Sequence, residues 1–231
     1  MDEMNMKVIA RARNDYTEKF GVPRQSGLVP EVQTLIVFEP EYRNPDALRG
    51  IEGFSHLWLI WGFSKAERSK WSPTVRPPRL GGNARMGVFA TRSPYRPNSI
   101  GLSAVKLMGV EKHPEYGDVL RVSGADMMDG TPIYDVKPYL AYADCIKDAS
   151  GGFTDGLDGR NVSLVFPEEL KMRVPEDKLE ALEGVLRHDP RPTYQSDPDR
   201  VYGMSFGGVN VKFTVSDGVL TVRDVERADT E

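Results

Sequence analysis

A single cysteine, Cys145, stands among 231 residues, so neither an internal disulfide framework nor a four-thiolate zinc site can form. Cys145 follows Asp144 in a stretch of Tyr and Ala with no local base, which reads as a structural thiol rather than a nucleophile. Histidine is scarce as well. His56, His113 and His188 lie far apart in sequence, no H-E-x-x-H pairs them on one helix face, and no metal is expected. His56 heads an apolar run and reads as a core or capping residue. There is no G-x-x-x-x-G-K and no G-x-G-x-x-G, so neither a P-loop nor a dinucleotide-binding turn is encoded. Long hydrophobic runs are missing too. The longest compact one, Leu57-Trp58-Leu59-Ile60-Trp61, is far shorter than the ~18 residues a membrane helix needs. The opening Met1-Asp2-Glu3-Met4-Asn5 carries acid where a signal peptide carries base, and no apolar stretch follows. A soluble, cytoplasmic globular protein is the expectation, with little in the sequence to support metal-dependent or triad hydrolysis.

What is present suffices for a core, since 39% of residues are hydrophobic, and the length allows one to two domains at ~150 residues each. With 22 glycines and 17 prolines, turns should be frequent. On the global count, 30 bases against 34 acids argue against a polyanionic partner. The distribution says otherwise. Between Lys65 and Lys106 stand nine bases and one acid, Glu67, a local net of about +8 that leaves about −12 for the rest of the chain. Six of the nine are arginines, suited to bidentate phosphate contacts and to stacking on bases. The plainer alternative is that they are solvated, or pair with acids brought in by folding.

Residues 8 to about 140 read as short strands separated by Pro and Gly. The candidates are Val32–Phe38, His56–Phe63, Met86–Ala90, Ile100–Val110 and Val119–Val122. Many short strands and almost no long helical periodicity favour a barrel or sandwich over a doubly wound sheet. Composition shifts after Ala149, where the Gly- and Asp-rich Ser150–Gly159 reads as a linker or long loop. The reading is a mainly β chain, with 1–149 as one domain and 150–231 as a small α+β domain. In the second unit Arg160–Phe166 reads as a strand, and Pro175 opens a helix whose Leu179, Leu182, Val185 and Leu186 share a face. Val209–Val215 alternates, and Ser216-Asp217-Gly218 turns it into Val219–Val225, a hairpin.

Four segments combine stiff Pro or permissive Gly with directional polar side chains, as rigid binding loops do. They are Phe20–Val29, Thr74–Asn83, Phe89–Ser103 and Asp129–Tyr139. Taken singly, each could equally be a tight turn. The set, with T-V-R-P-P-R-L-G-G-N at 74–83, D-G-T-P at 129–132 and His188-Asp189-Pro190-Arg191-Pro192-Thr193-Tyr194, resembles the TrmO-type family. These are S-adenosylmethionine-dependent tRNA methyltransferases with a YaeB-like β-barrel, which methylate N6 of N6-threonylcarbamoyladenosine beside the anticodon. The match runs roughly from Val8 through Tyr142. It departs at Ser99, where the family commonly has Pro, and at Ile9-Ala10, where Ile-Gly is usual.

The resemblance implies that Pro23, Arg24 and Gln25 contact S-adenosylmethionine, together with Ser64 and Lys65. Arg92 and Leu102 would line the pocket, and Asp129, Gly130, Thr131 and Pro132 would close it. The chemistry agrees: Asp129 can accept from ribose or ammonium, Arg24 or Arg92 can bind the carboxylate, and amides around Gly130 can reach the adenine edge. An acceptor for the N6 proton would help, and Asp135 or Asp129 could serve, but no catalytic residue is assigned. Arg76, Arg79, Arg85 and Arg96 are the candidates for the RNA backbone. Arg191 and Tyr194 are expected to help hold the anticodon stem-loop. The family also forms homodimers with the site near the subunit interface. Two other readings stay open, a non-catalytic RNA-binding barrel and a methyltransferase for another RNA or a small molecule.

Overall fold

The computed structural model describes residues 5–64, 71–80, 83–155, 161–191 and 197–228, with only the backbone of Arg79. The first strands are β1 (Ala10–Arg13), β2 (Gln33–Phe38) and β3 (His56–Gly62). A two-residue pair, β4 (Thr74–Val75) and β5 (Met86–Gly87), precedes the long β6 (Ile100–His113). Then come β7 (Gly117–Ser123), β8 (Pro132–Pro138) and a single helical turn, α1 (Ala141–Asp144). The rest comprises β9 (Ser163–Val165), α2 (Glu168–Lys171), α3 (Glu176–Arg187), β10 (Tyr202–Phe206), β11 (Val209–Ser216) and β12 (Val219–Arg227). No helix among the described residues is long and apolar enough to cross a membrane.

Six strands close into a barrel in the order β1-β2-β7-β6-β3-β8, with every neighbouring pair antiparallel. Alternation in the sequence fixes which side chains fill it. Leu57, Leu59 and Trp61 of β3 are buried, as are Val105 and Leu107 of β6, Leu120 and Val122 of β7, and Ala10 and Ala12 of β1. A slip of one residue would turn Leu57 and Leu59 outward, so this core also sets the register. Gly101 is demanded by packing: a Cβ there would run into the indole of Trp61, which lies across it.

The second core forms around the four-stranded sheet β10-β11-β12-β9, in which β9 runs parallel to β12. The β11–β12 hairpin turns through Asp217 (φ 51°) and Gly218 (φ 76°), two left-handed residues that match the twist of its strands. Helix α3 buries Ala181, Leu182, Val185 and Leu186 against this sheet. Each fully buried leucine contributes about 1.5–3 kcal/mol. The same core takes in Tyr16, Val29 and Val32 from the chain between β1 and β2.

The mainly β barrel with a small α+β unit is as expected, and differences lie in detail. Met86–Ala90, expected as one strand, pairs only over Met86–Gly87 and then coils into a 3-10 turn at Val88–Ala90. The C-terminal strand expected over Arg160–Phe166 is confined to Ser163–Val165, and Arg160 lies outside the described residues. The segment Asp129–Tyr139, expected as a polar loop, is a turn followed by β8, because proline is tolerated at the start of a strand. His56 is exposed rather than in the core, its Nδ1 2.9 Å from Ser55 Oγ, and Cys145 is exposed as well.

Gly101→Ala should push the Trp61 indole from its seat and destabilise the fold by about 1–3 kcal/mol, the usual range for overpacking. Urea unfolding would measure it, and a loss below ~0.5 kcal/mol would show that Trp61 can move aside.

Candidate active site

Antiparallel closure sends successive connections to opposite ends of the barrel. Strands β1, β3 and β7 end at one rim, and β2, β6 and β8 begin there. The connections 14–32, 63–99 and 124–131 therefore meet at a single rim. Pro23, Arg24, Gln25, Ser64, Arg92, Asp129, Gly130 and Thr131 all belong to these connections. Leu102 and Pro132 sit in the first residues of the strands that follow. Lys65 lies outside the described residues.

Contacts draw the connections together. The Arg92 guanidinium donates to Gln25 Oε1, and Gln25 Nε2 donates to the Arg24 carbonyl at 2.5 Å. Gly27 N–H donates to the Gly124 carbonyl at 2.8 Å, and their backbones approach so closely that a Cβ on Gly124 would stand 3.0 Å from Gly27 Cα. Leu102 points away from the barrel interior and is 56% exposed, whereas its neighbours Gly101 and Ser103 are buried. Ser64, Arg92 and Asp129 are exposed, and Thr131 is buried.

The most unusual polar group here is one the sequence reading passed over. Asp126, half-buried below the rim, accepts from Ser103 Oγ at 2.5 Å, and Ser103 Oγ in turn accepts from Trp61 Nε1 at 2.9 Å. Burial pushes the Asp126 carboxyl above the ordinary carboxylate range. The Ser103 hydroxyl, its own amide, the Arg92 charge and the Ser26 amide pull it back only in part. The available signal was an acid set among the apolar Ala125, Met127 and Met128, where a solvated loop has no need of methionines.

Asp129 is already engaged, taking Asn14 N–H at 3.1 Å and Arg13 Nη1 at 3.4 Å. The amides of Asp129, Gly130 and Thr131 donate to the carbonyls of Tyr16, Ala12 and Met128. Expected to reach an adenine edge, they instead bond to β1, to the residues just after it and within the turn itself, because a strand-linking turn must satisfy its own backbone. Asp135 accepts from the Val136 amide and pairs with Lys137 Nζ at 2.9 Å.

Even so, the donor set fits S-adenosylmethionine. Exposed guanidinium groups of Arg24 and Arg92 suit its carboxylate, and the exposed Asp129 carboxylate suits an ammonium or ribose hydroxyls. Gly130 and Gly27 adopt φ of 74° and 79° and have nothing within 4 Å of where a Cβ would stand, leaving open space beside the backbone.

Of the residues expected to face RNA, Arg76 and Arg85 are exposed and Arg96 is half-buried, donating to the Thr91 carbonyl at 3.2 Å. The Arg79 side chain and Tyr194 lie outside the described residues. Arg191 is different. Its side chain is 11% exposed and its guanidinium grips Asp189, with Nε–Oδ1 at 2.8 Å and Nη2–Oδ2 at 2.9 Å. The string Gly203-Met204-Ser205-Phe206-Gly207 has the spacing of a nucleophile elbow but runs along β10, with Ser205 Oγ 2.6 Å from Asn210 Oδ1.

Residues 11–145 match the family model of the tRNA-methyltransferase O N-terminal domain, and residues 162–228 match that of the TrmO C-terminal domain. Over 235 residues the chain is 40% identical to the tRNA (adenine(37)-N6)-methyltransferase of Escherichia coli strain K12, covering 98% of this chain and 99% of that protein. A "Probable S-adenosyl-L-methionine-binding protein" of Methanothermobacter thermautotrophicus is 34% identical over 144 residues, which is 62% of this chain and 96% of its own. The solved structure of TrmO from Pseudomonas aeruginosa superposes with a TM-score of 0.78 at 31% identity, covering 97% of this chain and 100% of that one.

A raised Asp126 pKa has a measurable sign. The folded protein keeps this proton to higher pH than the unfolded chain, whose Asp titrates near 3.8, so the associated stability is full below that value and falls as pH rises through the folded pKa. Asp126→Asn stays neutral and should therefore gain on the wild type in melting temperature as pH rises from about 4 to 7. A difference that is flat across that interval would contradict the assignment.

Proposed function

The chain belongs to the tRNA-methyltransferase O family, and from that premise we propose that it methylates N6 of N6-threonylcarbamoyladenosine beside the anticodon of tRNA, with S-adenosylmethionine as methyl donor. The observation that carries this reading is the convergence on one rim of Pro23–Gln25, Ser64, Arg92, Leu102 and Asp129–Pro132. When bound, S-adenosylmethionine supplies an electrophilic methyl group whose leaving group is a neutral thioether. No residue need protonate that leaving group, so the protein contributes chiefly by positioning. Arg24 and Arg92 hold the carboxylate end, Asp129 takes the ammonium or ribose hydroxyls, and Leu102 offers an exposed apolar side chain beside them. No catalytic base is assigned, since Asp129 and Asp135 are both ion-paired.

The RNA backbone is held by Arg76, Arg79, Arg85 and Arg96, a reading supported by the local excess of bases between Lys65 and Lys106. Residues 1–149 form the methyltransferase domain and 150–231 the accessory α+β domain, a division supported by the separate cores of the barrel and of the C-terminal sheet, although the latter also takes in Tyr16, Val29 and Val32. The working unit is a homodimer with the site near its interface. Support for this comes from Phe89 and Leu102, apolar side chains 72% and 56% exposed in the segments that serve the site. A tRNA substrate favours a cytoplasmic location.

Nucleoside mass spectrometry of tRNA from cells lacking this protein should show N6-threonylcarbamoyladenosine without its N6-methyl derivative. Unchanged levels of the methylated nucleoside would redirect the reading to another substrate. Calorimetric titration at ~1 mM S-adenosylmethionine should detect binding, and its absence would leave a non-catalytic RNA-binding barrel.

A further inference from the structure

Helix α3 ends at Arg187, His188 caps it, and Asp189 follows in the left-handed region at φ 46°. That position after a helix normally belongs to glycine, which adopts it without strain. Aspartate here retains what glycine would lose, a carboxylate. Its side chain is only 4% exposed, accepts the Arg191 guanidinium through both oxygens, and takes the Arg191 amide at 3.3 Å. Pro190 stiffens the link between them. The product is a locked reverse turn whose outer carbonyl, that of Arg191, accepts Arg24 Nη2 at 2.7 Å. Arg24 is 167 residues away in sequence and sits in the Pro23–Gln25 turn of the rim. A cleft lined by Pro23, Arg24, Val185, His188 and Pro190 lies between the two segments, and this bond adds a directional contact there to the apolar packing of Val29 on the C-terminal core.

We propose that the buried Asp189–Arg191 pair is a positioning device for the cofactor site, fixing the carbonyl that holds Arg24 and so presenting the Pro23–Gln25 turn to S-adenosylmethionine. This rests on the methyltransferase reading. It gives the Asp-Pro-Arg segment a role toward cofactor rather than RNA, because a guanidinium 11% exposed and doubly bonded to a carboxylate cannot also clamp a phosphate. The left-handed aspartate is the local strain that this role requires.

A double-mutant cycle on the full-length protein tests the coupling. Asp189→Asn, Arg24→Ala and the double variant would be titrated calorimetrically with S-adenosylmethionine. Each single change should weaken binding about tenfold, the effect of one hydrogen bond to a charged group, and the double variant by little more. In steady state, KM for S-adenosylmethionine should rise while kcat and KM for tRNA hold. If Asp189→Asn does not fold, Arg191→Lys replaces it in the same cycle, because lysine keeps the charge but cannot form the two-pronged contact. Losses that multiply to about a hundredfold would overturn the proposal. So would an Arg191→Lys variant that binds S-adenosylmethionine normally and loses tRNA affinity with a shallower salt dependence. A wild-type protein that does not bind S-adenosylmethionine would overturn the methyltransferase reading and this inference with it. Normal binding by the wild type and by every variant would overturn the inference and the carboxylate contact given to Arg24, and would leave the methyltransferase reading standing.

Discussion

An even number of strands closed in strict antiparallel alternation leaves a chain little choice about where its loops go. Each strand reverses the direction of the last, so connections alternate between two ends. Here the connections 14–32, 63–99 and 124–131 fall at one end, and residues 39–55 with the tight turn between β6 and β7 fall at the other. The polar loop residues need no individual steering to meet. They meet because Leu57, Leu59, Val105, Val122 and their partners hold a single register. Were one strand to slip by a residue, the rim would lose its geometry together with the core.

The rim is also supported from below and from outside. Below it, Trp61, Ser103 and Asp126 form a hydrogen-bonded line that satisfies an indole N–H and seats a carboxyl at the edge of the core. Outside it, the connection between β1 and β2 is held by the other core, through Tyr16, Val29 and Val32. That arrangement lets a connection without regular strands act as a rigid element. Its backbone bonds to Gly124, its side chains to Arg92, and its apolar residues to the C-terminal sheet.

Much of this was legible in the sequence. Strands β2, β3, β6 and β7, helix α3 and the β11–β12 hairpin follow directly from periodicity and turn residues, because burial on one face writes itself into alternation. The rest was hidden for identifiable reasons. Two prolines disguised β8, although only an interior strand proline would have broken its ladder. Four residues of β1 are too few for a pattern. The Asp189–Arg191 pair depends on a left-handed aspartate, a conformation that no spacing announces. Asp126 belongs to no motif, and its significance comes from Ser103, 23 residues earlier, which only the barrel brings near. The amides of the Asp129-Gly130-Thr131 turn show the converse: a promising ligand-binding string whose N–H groups are already engaged by the fold.

The bond between Arg24 and the Arg191 carbonyl has a consequence for how the protein is made. A ribosome delivers residues in order, and folding units tend to form as they emerge. All six strands of the barrel are available once Pro138 has left the exit tunnel. The turn bearing Arg24 is synthesised before five of the six barrel strands, yet its anchor and most of the core beneath Tyr16 and Val29 follow the last of them. A nascent chain can thus complete its barrel well before that turn finds its support, and the site is complete only once the C-terminal sheet has been made.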